Sequence, residues 1–317
     1  MANHAPLFSP FWPASGVWRL ASQFPNAPCT AQYAQRTPSP VITLKSEREF
    51  AKMAVAGACV AAVHQAVREA AKPGVALKDL DAIAAQITKE RGCTPSFLGY
   101  QPSPHQIPYP GHLCLSVNDV IVHGIPSAYK LRAGDVLAVD AGAIFEGFHG
   151  DAAFTMAIGE VSAEAARLIS ATEEGMWAGI RQVRAGTRIG DVSASVQEVG
   201  ERHEIGIVRE YVGHGIGRQM HEEPQIPNVG AAGRGMKLKA GMAVCIEPMF
   251  NLGTWETTVD SDGWTVRTAD GSLSAHFEHT VAITRDGVKV MTLAEKPVDL
   301  VEMAGSRYHS PPVFGTQ

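Results

Sequence analysis

Asp140 and Asp151 stand on either side of Glu146-Gly147, a dipeptide suited to a two-residue hairpin turn. With that turn, residue 145 pairs with 148 and residue 142 with 151. Asp140, two positions from 142, then shares a face with Asp151. The two carboxylates become diagonal neighbours, about 7–8 Å apart at the backbone, which suits a grip on one cation. Two solvated acids on an outer face would have the same spacing. Asp140, however, follows the core-like run Val136-Leu-Ala-Val139, where an unpaired acid is costly. Further along, His214 lies between Gly213 and Gly215, glycines that permit close approach of a ligand, and His221 follows seven residues later. Glu247 ends the apolar run Met242-Ala-Val-Cys-Ile and is stopped by Pro248, and Glu278 sits inside strand-like sequence. Singly, each reads equally as a turn histidine or an edge-strand charge. Together they form a carboxylate-rich set with few histidines and no cysteine, which suits two divalent ions among Mn²⁺, Fe²⁺, Co²⁺ and Zn²⁺. Such a centre activates a water and polarises a carbonyl, the chemistry of hydrolysis.

The elements that must carry these residues come in two similar blocks. Ser46 and Glu49 have capping-box spacing, and Phe50, Met53, Gly57, Val60 and Val67 recur at helical intervals to about residue 71. Pro73-Gly74 breaks that helix, and a second is expected over 77–90, with Leu80, Ile83 and Ile87 buried. Gly74, Leu77, Asp79 and Leu80 return as Gly186, Ile189, Asp191 and Val192, at a constant offset of 112 residues. Each block follows a long helix, over 46–71 and 162–184, and precedes strand-like sequence. This predicts two helix–helix–strands units related by a pseudo-twofold. In the second unit, Asp286-Gly287 separates the apolar runs 280–284 and 288–293 as a hairpin turn would.

Residues 1–44 contain seven prolines and no acidic residue, and read as an irregular extension. Residues 45–295 read as one catalytic domain and 296–317 as a tail. Pro10-Phe-Trp-Pro13 and Pro25-Asn-Ala-Pro28 are PxxP strings; a linker is the preferred reading, with ribosome docking or organellar targeting as alternatives. The 317 residues are 45% apolar and 19% charged with a net charge of −5, which argues against nucleic-acid binding. No uninterrupted apolar run approaches the 18 residues of a membrane span. Five scattered cysteines argue against a disulfide framework and for a reducing compartment, the cytoplasm.

The motifs resemble those of bacterial-type (type I) methionine aminopeptidases. They are Leu115-Ser-Val-Asn-Asp-Val-Ile-Val-His-Gly-Ile-Pro126, Gly147-Phe-His-Gly-Asp151, Gly213-His-Gly-Ile-Gly217, His221-Glu-Glu-Pro224, Ile246-Glu-Pro-Met249 and Phe277-Glu-His-Thr280, and the similarity spans about 46–293. The resemblance implies an α+β pita-bread fold, with duplicated helix–helix–strands units around a curved antiparallel sheet. It implies a monomeric enzyme that removes the initiator methionine from nascent chains whose second residue is small. Asp140 would chelate one metal, Asp151 and Glu278 would bridge two, and His214 and Glu247 would complete the other. Glu247 would shuttle the proton of the attacking water, while His123 and His221 would contact the scissile peptide. Tyr100, Tyr109, Cys114 and Trp264 would line the methionine pocket. Backbone oxygens of Asn118, Val120 and Ser274 would hold a monovalent cation.

The chain departs from that pattern in places. Phe97 stands where a small residue or cysteine is common, Met220 where phenylalanine is common, and the 101–108 segment is longer than usual. X-Pro aminopeptidases and prolidases share the fold but usually carry a large N-terminal domain, for which the 45 residues before the catalytic part are too few. Type II methionine aminopeptidases carry a helical insertion, for which the 25 residues between His221 and Glu247 leave no room. A metal-free binding protein of the same fold would have lost ligands that stand here.

Overall fold

A computed structural model describes residues 42–293, 296 and 298–300. The readings made for residues 1–41 and 301–317 lie outside the described residues. Among the described residues, four helices and sixteen strands follow one another in two passes. The first pass is α1 (Glu47–Ala70), α2 (Leu77–Glu90), β1 (Thr94–Pro95), β2 (Leu113–Val117), β3 (Val120–Val122), β4 (Val136–Phe145) and β5 (Phe148–Ala157). The second opens with α3 (Ala163–Gln182), α4 (Ile189–Arg202), β6 (Gly206–Ile207), β7 (Gly213–Gly215) and β8 (Glu222–Ile226). It continues through β9 (Ala243–Ile246), β10 (Met249–Asn251), β11 (Thr257–Val259), β12 (Val266–Thr268), β13 (Ser274–His276), β14 (Glu278–Ile283), β15 (Val288–Val290) and β16 (Val298–Asp299).

The central antiparallel sheet runs β1-β4-β5-β14-β9-β7-β8, with β2 also on β4 and β15 and β16 continuing from β14. Two three-stranded sheets, β13-β10-β6 and β11-β12-β3, flank it. The Glu146-Gly147 turn sets the register read from the sequence: Phe145 pairs with Phe148 and Gly142 with Asp151. The Asp286-Gly287 hairpin also forms, with Val281 opposite Val290. Beyond it, Lys289 and Val290 pair with Asp299 and Val298, so the sheet reaches into the segment read as a tail.

The capping box at Ser46 and Glu49 starts α1. By length and composition α1 is apolar enough to cross a membrane, a property hidden from a search for uninterrupted apolar runs. Here it is a core helix: ten of its residues are buried, and it packs on β4 and β5. Gly150 on β5 permits that approach, and Gly57 lets the chain after β15 lie against the helix. A Cβ on Gly57 would lie 2.1 Å from the Met291 carbonyl oxygen, and one on Gly150 would lie 2.9 Å from the Gly57 nitrogen.

The duplication is visible in the hydrogen bonds. The Leu77 amide donates to the Tyr129 carbonyl and the Ile189 amide to Met236, each at 3.0 Å; Gly74 donates to Leu131 as Gly186 does to Leu238. α4 repeats α2 at the 112-residue offset at both ends. β4 and β9 are likewise equivalent, since Gly134 and Gly241, just ahead of them, share φ 96° and donate to Ile158 and Ile283 at the ends of the hairpins. Asp140 and Glu247 then stand at matching positions, four residues after the first residue of each strand.

Alternation along the strands separates two faces. Leu113, Leu115, Val139, Ala141, Val244, Ile246, Val281 and Ile283 join the core beneath the helices. Cys114, Asp140, Cys245, Glu247, Glu278 and Thr280 alternate with them and point the other way; Cys114 joins a cluster with Phe97, Tyr109, Met220, Met249 and Trp264, and Cys245 one with Phe50, Met53 and Phe148.

The two copies differ at one helix end. Gly92 after α2 has φ 67°, and its counterpart after α4, Glu204, has φ 53°. A side chain there costs about 1 kcal/mol. Glu204→Gly is expected to raise stability by about 0.5–1 kcal/mol, read from the urea midpoint, and Gly92→Ala to lower it by a similar amount.

Candidate active site

Four adjacent strands bring the acids together. Asp140 on β4 is opposite Ala153 on β5, and Ala153 is opposite Glu278 on β14. His279 pairs with Ile246, so Glu247, one residue beyond β9, continues that row beside Glu278. Asp151 lies two residues from Ala153 on the same face. Its backbone is fixed by the Thr280 hydroxyl, which accepts from the Asp151 amide at 3.0 Å and donates to its carbonyl at 2.8 Å. Ala153 is the small residue around which the three larger side chains converge.

His214 enters from β7. Its Nδ1–H donates to the Gly215 carbonyl at 2.9 Å, which fixes the tautomer and leaves Nε2 with a free lone pair, 3.3 Å from Glu247 Oε1. The glycines beside His214 serve the strands rather than a ligand. A Cβ on Gly213 would meet the Cys245 carbonyl oxygen at 2.4 Å, and one on Gly215 the Glu223 carbonyl oxygen at 2.3 Å. They let β7 lie against its neighbours closely enough to bring the imidazole to the acids.

Asp140 Oδ1, Asp151 Oδ1, Glu247 Oε1 and Glu278 Oε1 are buried without a hydrogen-bond partner. No lysine or arginine lines the pocket among the described residues. The acids are therefore hard to ionise. Burial pushes the Asp140 carboxyl well up, and Asp151 and Glu278 add to it. Burial, then Asp151 and Glu247, does the same to Glu278, and burial with Asp151 and Asp140 to Glu247. Asp151 is raised by burial to about 7. Burial lowers His214 to about 4, so it is neutral near pH 7. Converging orphaned oxygens and a neutral imidazole form a cradle for positive charge. The groups Asp140–Asp151–Glu278, Glu247–His276–Glu278 and His214–Cys245–Glu278 each have ligand atoms close enough to hold an ion.

The other expected residues surround this cluster. The His221 ring lies 4.4 Å from that of His214, and its Nδ1 is 2.8 Å from the Tyr100 hydroxyl. Burial, with His214, His123 and His149 nearby, keeps His221 neutral. His123 adopts φ 60°, a left-handed backbone that few non-glycine residues take, and its ring meets those of Tyr211 and Trp264 edge-on. Tyr109, Cys114 and Trp264 are buried in the apolar wall, with Phe97 and Met220 beside them as the sequence departures suggest. The 101–108 segment braces this wall: the Ile107 carbonyl accepts from Trp264 Nε1 at 2.7 Å, and Gln106 donates to the Gly263 carbonyl. Asn118 and Ser274 are adjacent, the Ser274 amide donating to the Asn118 carbonyl at 2.8 Å, and Val120 lies on β3 opposite Arg267. Glu222, next to His221, is held in a buried ion pair with Lys45 at 2.7 Å and by the Thr43 hydroxyl.

Sequence reasoning missed His276, Met249 and Tyr211, all of which line the pocket. His276 had a legible signal, since period-two alternation places it with Glu278.

Residues 51–285 match metallopeptidase family M24. The chain belongs to that family. Methionine aminopeptidase of Clostridium acetobutylicum is 46% identical over 256 residues, 80% of this chain and all of the relative. Methionine aminopeptidase 1 of Mycobacterium tuberculosis is 48% identical, covering 80% of this chain and 96% of the relative. The crystal structure of a Thermotoga maritima methionine aminopeptidase superposes with TM-score 0.76 at 41% identity, covering 80% of this chain and 99% of that one. A prolidase from Pyrococcus furiosus shares the fold, TM-score 0.63 at 19% identity. This M24 member has the pita-bread fold and is a metal-dependent aminopeptidase, as the motif resemblance implies.

The raised carboxyls give a pH dependence for metal uptake. Below about pH 7 Asp151 holds a proton that an incoming cation must displace. Co²⁺ binding is expected to weaken as pH falls through 7 and to release more protons at pH 6.5 than at pH 8.5. Calorimetry in buffers of different ionisation enthalpy measures both.

Proposed function

We propose that this M24 enzyme removes the N-terminal methionine from nascent polypeptides whose second residue is small, in the cytoplasm and as a monomer. The observation that supports this most is the orphaned carboxylate cluster with His214, opening directly onto an apolar pocket lined by Tyr109, Cys114 and Trp264. An unbranched thioether fits such a wall.

Asp140, Asp151, His214, Glu247 and Glu278 would hold two divalent ions, drawn from Co²⁺, Mn²⁺, Fe²⁺ or Zn²⁺. Bound there, the ions lower the pKa of a water and polarise the scissile carbonyl. Glu247 takes the proton from the attacking water and passes it to the leaving amine. Neutral His221, braced by the Tyr100 hydroxyl, and His123 donate hydrogen bonds to the peptide oxygen as charge develops on it. Tyr100, Tyr109, Cys114 and Trp264 orient the methionine side chain, and the crowded acids leave room only for a small second residue. Backbone oxygens of Asn118, Val120 and Ser274 hold a monovalent cation behind the site.

The test uses metal-stripped protein reloaded with each ion and offered Met-Ala-Ser beside Ala-Pro-Ala. Metal-dependent release of methionine alone is expected; cleavage of only the proline peptide would move the chain to the X-Pro branch. Glu247→Ala and His221→Ala are each expected to lower kcat/KM by about 10²-fold or more with the fold intact, and unchanged rates would overturn their roles. Asp140→Asn is expected to lower bound metal in elemental analysis.

A further inference from the structure

We propose that His276 is an additional metal ligand, giving the ion between Glu247 and Glu278 a second imidazole besides His214. The inference rests on the proposed metal centre and extends it.

His276 ends β13, opposite Met249 on β10. The Thr155 hydroxyl on β5 clamps its backbone, accepting from the His276 amide at 2.9 Å and donating to its carbonyl at 2.7 Å. The residue is 2% exposed. Its Nε2 is buried without a hydrogen-bond partner and points at the acids, 3.9 Å from Glu278 Oε2 and 4.0 Å from Glu247 Oε2. Those separations are too long for hydrogen bonds. They suit donors on one ion, because two atoms each about 2.0–2.2 Å from a common metal are at most about 4.3 Å apart. Glu247 and Glu278 each keep a second oxygen unpartnered as well. A rigid backbone, an orphaned ring nitrogen and two facing carboxylates are what a ligand position requires.

A second imidazole has a chemical consequence. Imidazole favours Fe²⁺, Co²⁺ and Zn²⁺ over Mn²⁺, whereas carboxylates suit Mn²⁺. His276 would bias this centre toward the former ions.

Proton NMR of the Co²⁺-loaded wild-type chain tests the assignment without any variant, because each coordinated imidazole contributes one far-shifted exchangeable N–H. Two such resonances are expected, and one after His276→Gln. Calorimetric titration of the stripped chain with Co²⁺ is expected to show at least a tenfold loss of affinity in His276→Gln, and titration with Mn²⁺ a smaller loss. One far-shifted resonance in wild type, with equal Co²⁺ affinity in the variant, would overturn the inference while Met-Ala-Ser cleavage kept the proposed function standing. Failure of the wild-type chain to bind Co²⁺ would overturn both.

Discussion

Asp140, Asp151, Glu247 and Glu278 converge in one cleft, and no lysine or arginine lines it among the described residues. Burial penalises each ionised acid, and each ionised acid penalises the next. A protein ordinarily relieves such a cluster with a cation of its own or by dispersing it. Here Ala153 brings Asp140 and Glu278 into one row, Thr280 pins Asp151, and neighbouring histidines are held neutral by burial. The arrangement is unfavourable as a piece of protein alone and favourable around divalent ions. The scaffold's rigidity is what keeps the acids from relaxing apart.

That requirement accounts for the duplicated architecture. Each half supplies a helix pair and a hairpin, and Asp140 and Glu247 occupy the same step of their strands. The halves meet where β14 lies between β5 and β9, so the ligands come from both sides of one seam. The apolar faces turned toward α1–α4 anchor these strands, while the opposite residues are released for chemistry. The buried Lys45–Glu222 pair anchors the backbone next to His221, and the Trp264–Ile107 hydrogen bond braces the apolar wall of the pocket.

Local rules made much of this legible in the sequence. The Glu146-Gly147 turn determined the register that puts Asp140 and Asp151 on one face, and Ser46 with Glu49 marked the start of α1. Period two and the 112-residue offset exposed the duplication. What stayed hidden depends on distant contacts. The glycines around His214 looked like room for a ligand and are room for neighbouring strands. His276 sits in a stretch whose acid drew the attention; period two places it with Glu278, while the pairing with Met249 and the hydroxyl of Thr155, which hold its backbone, come from distant strands. Among the described residues, the short β16 gains its strand character from β15.

The position of β14 also has a consequence for how the molecule is made. The β4–β5 hairpin leaves the ribosome complete, but the strand that borders β5 is among the last parts of the domain to emerge. For that interval β5 has a bare edge, the kind of template on which chains aggregate. Inward-pointing charges are one way natural sheets discourage edge pairing. Asp151 is such a charge, carried on the strand that waits for β14. An acid that makes the finished cleft costly to build is thus carried on the edge that is still open.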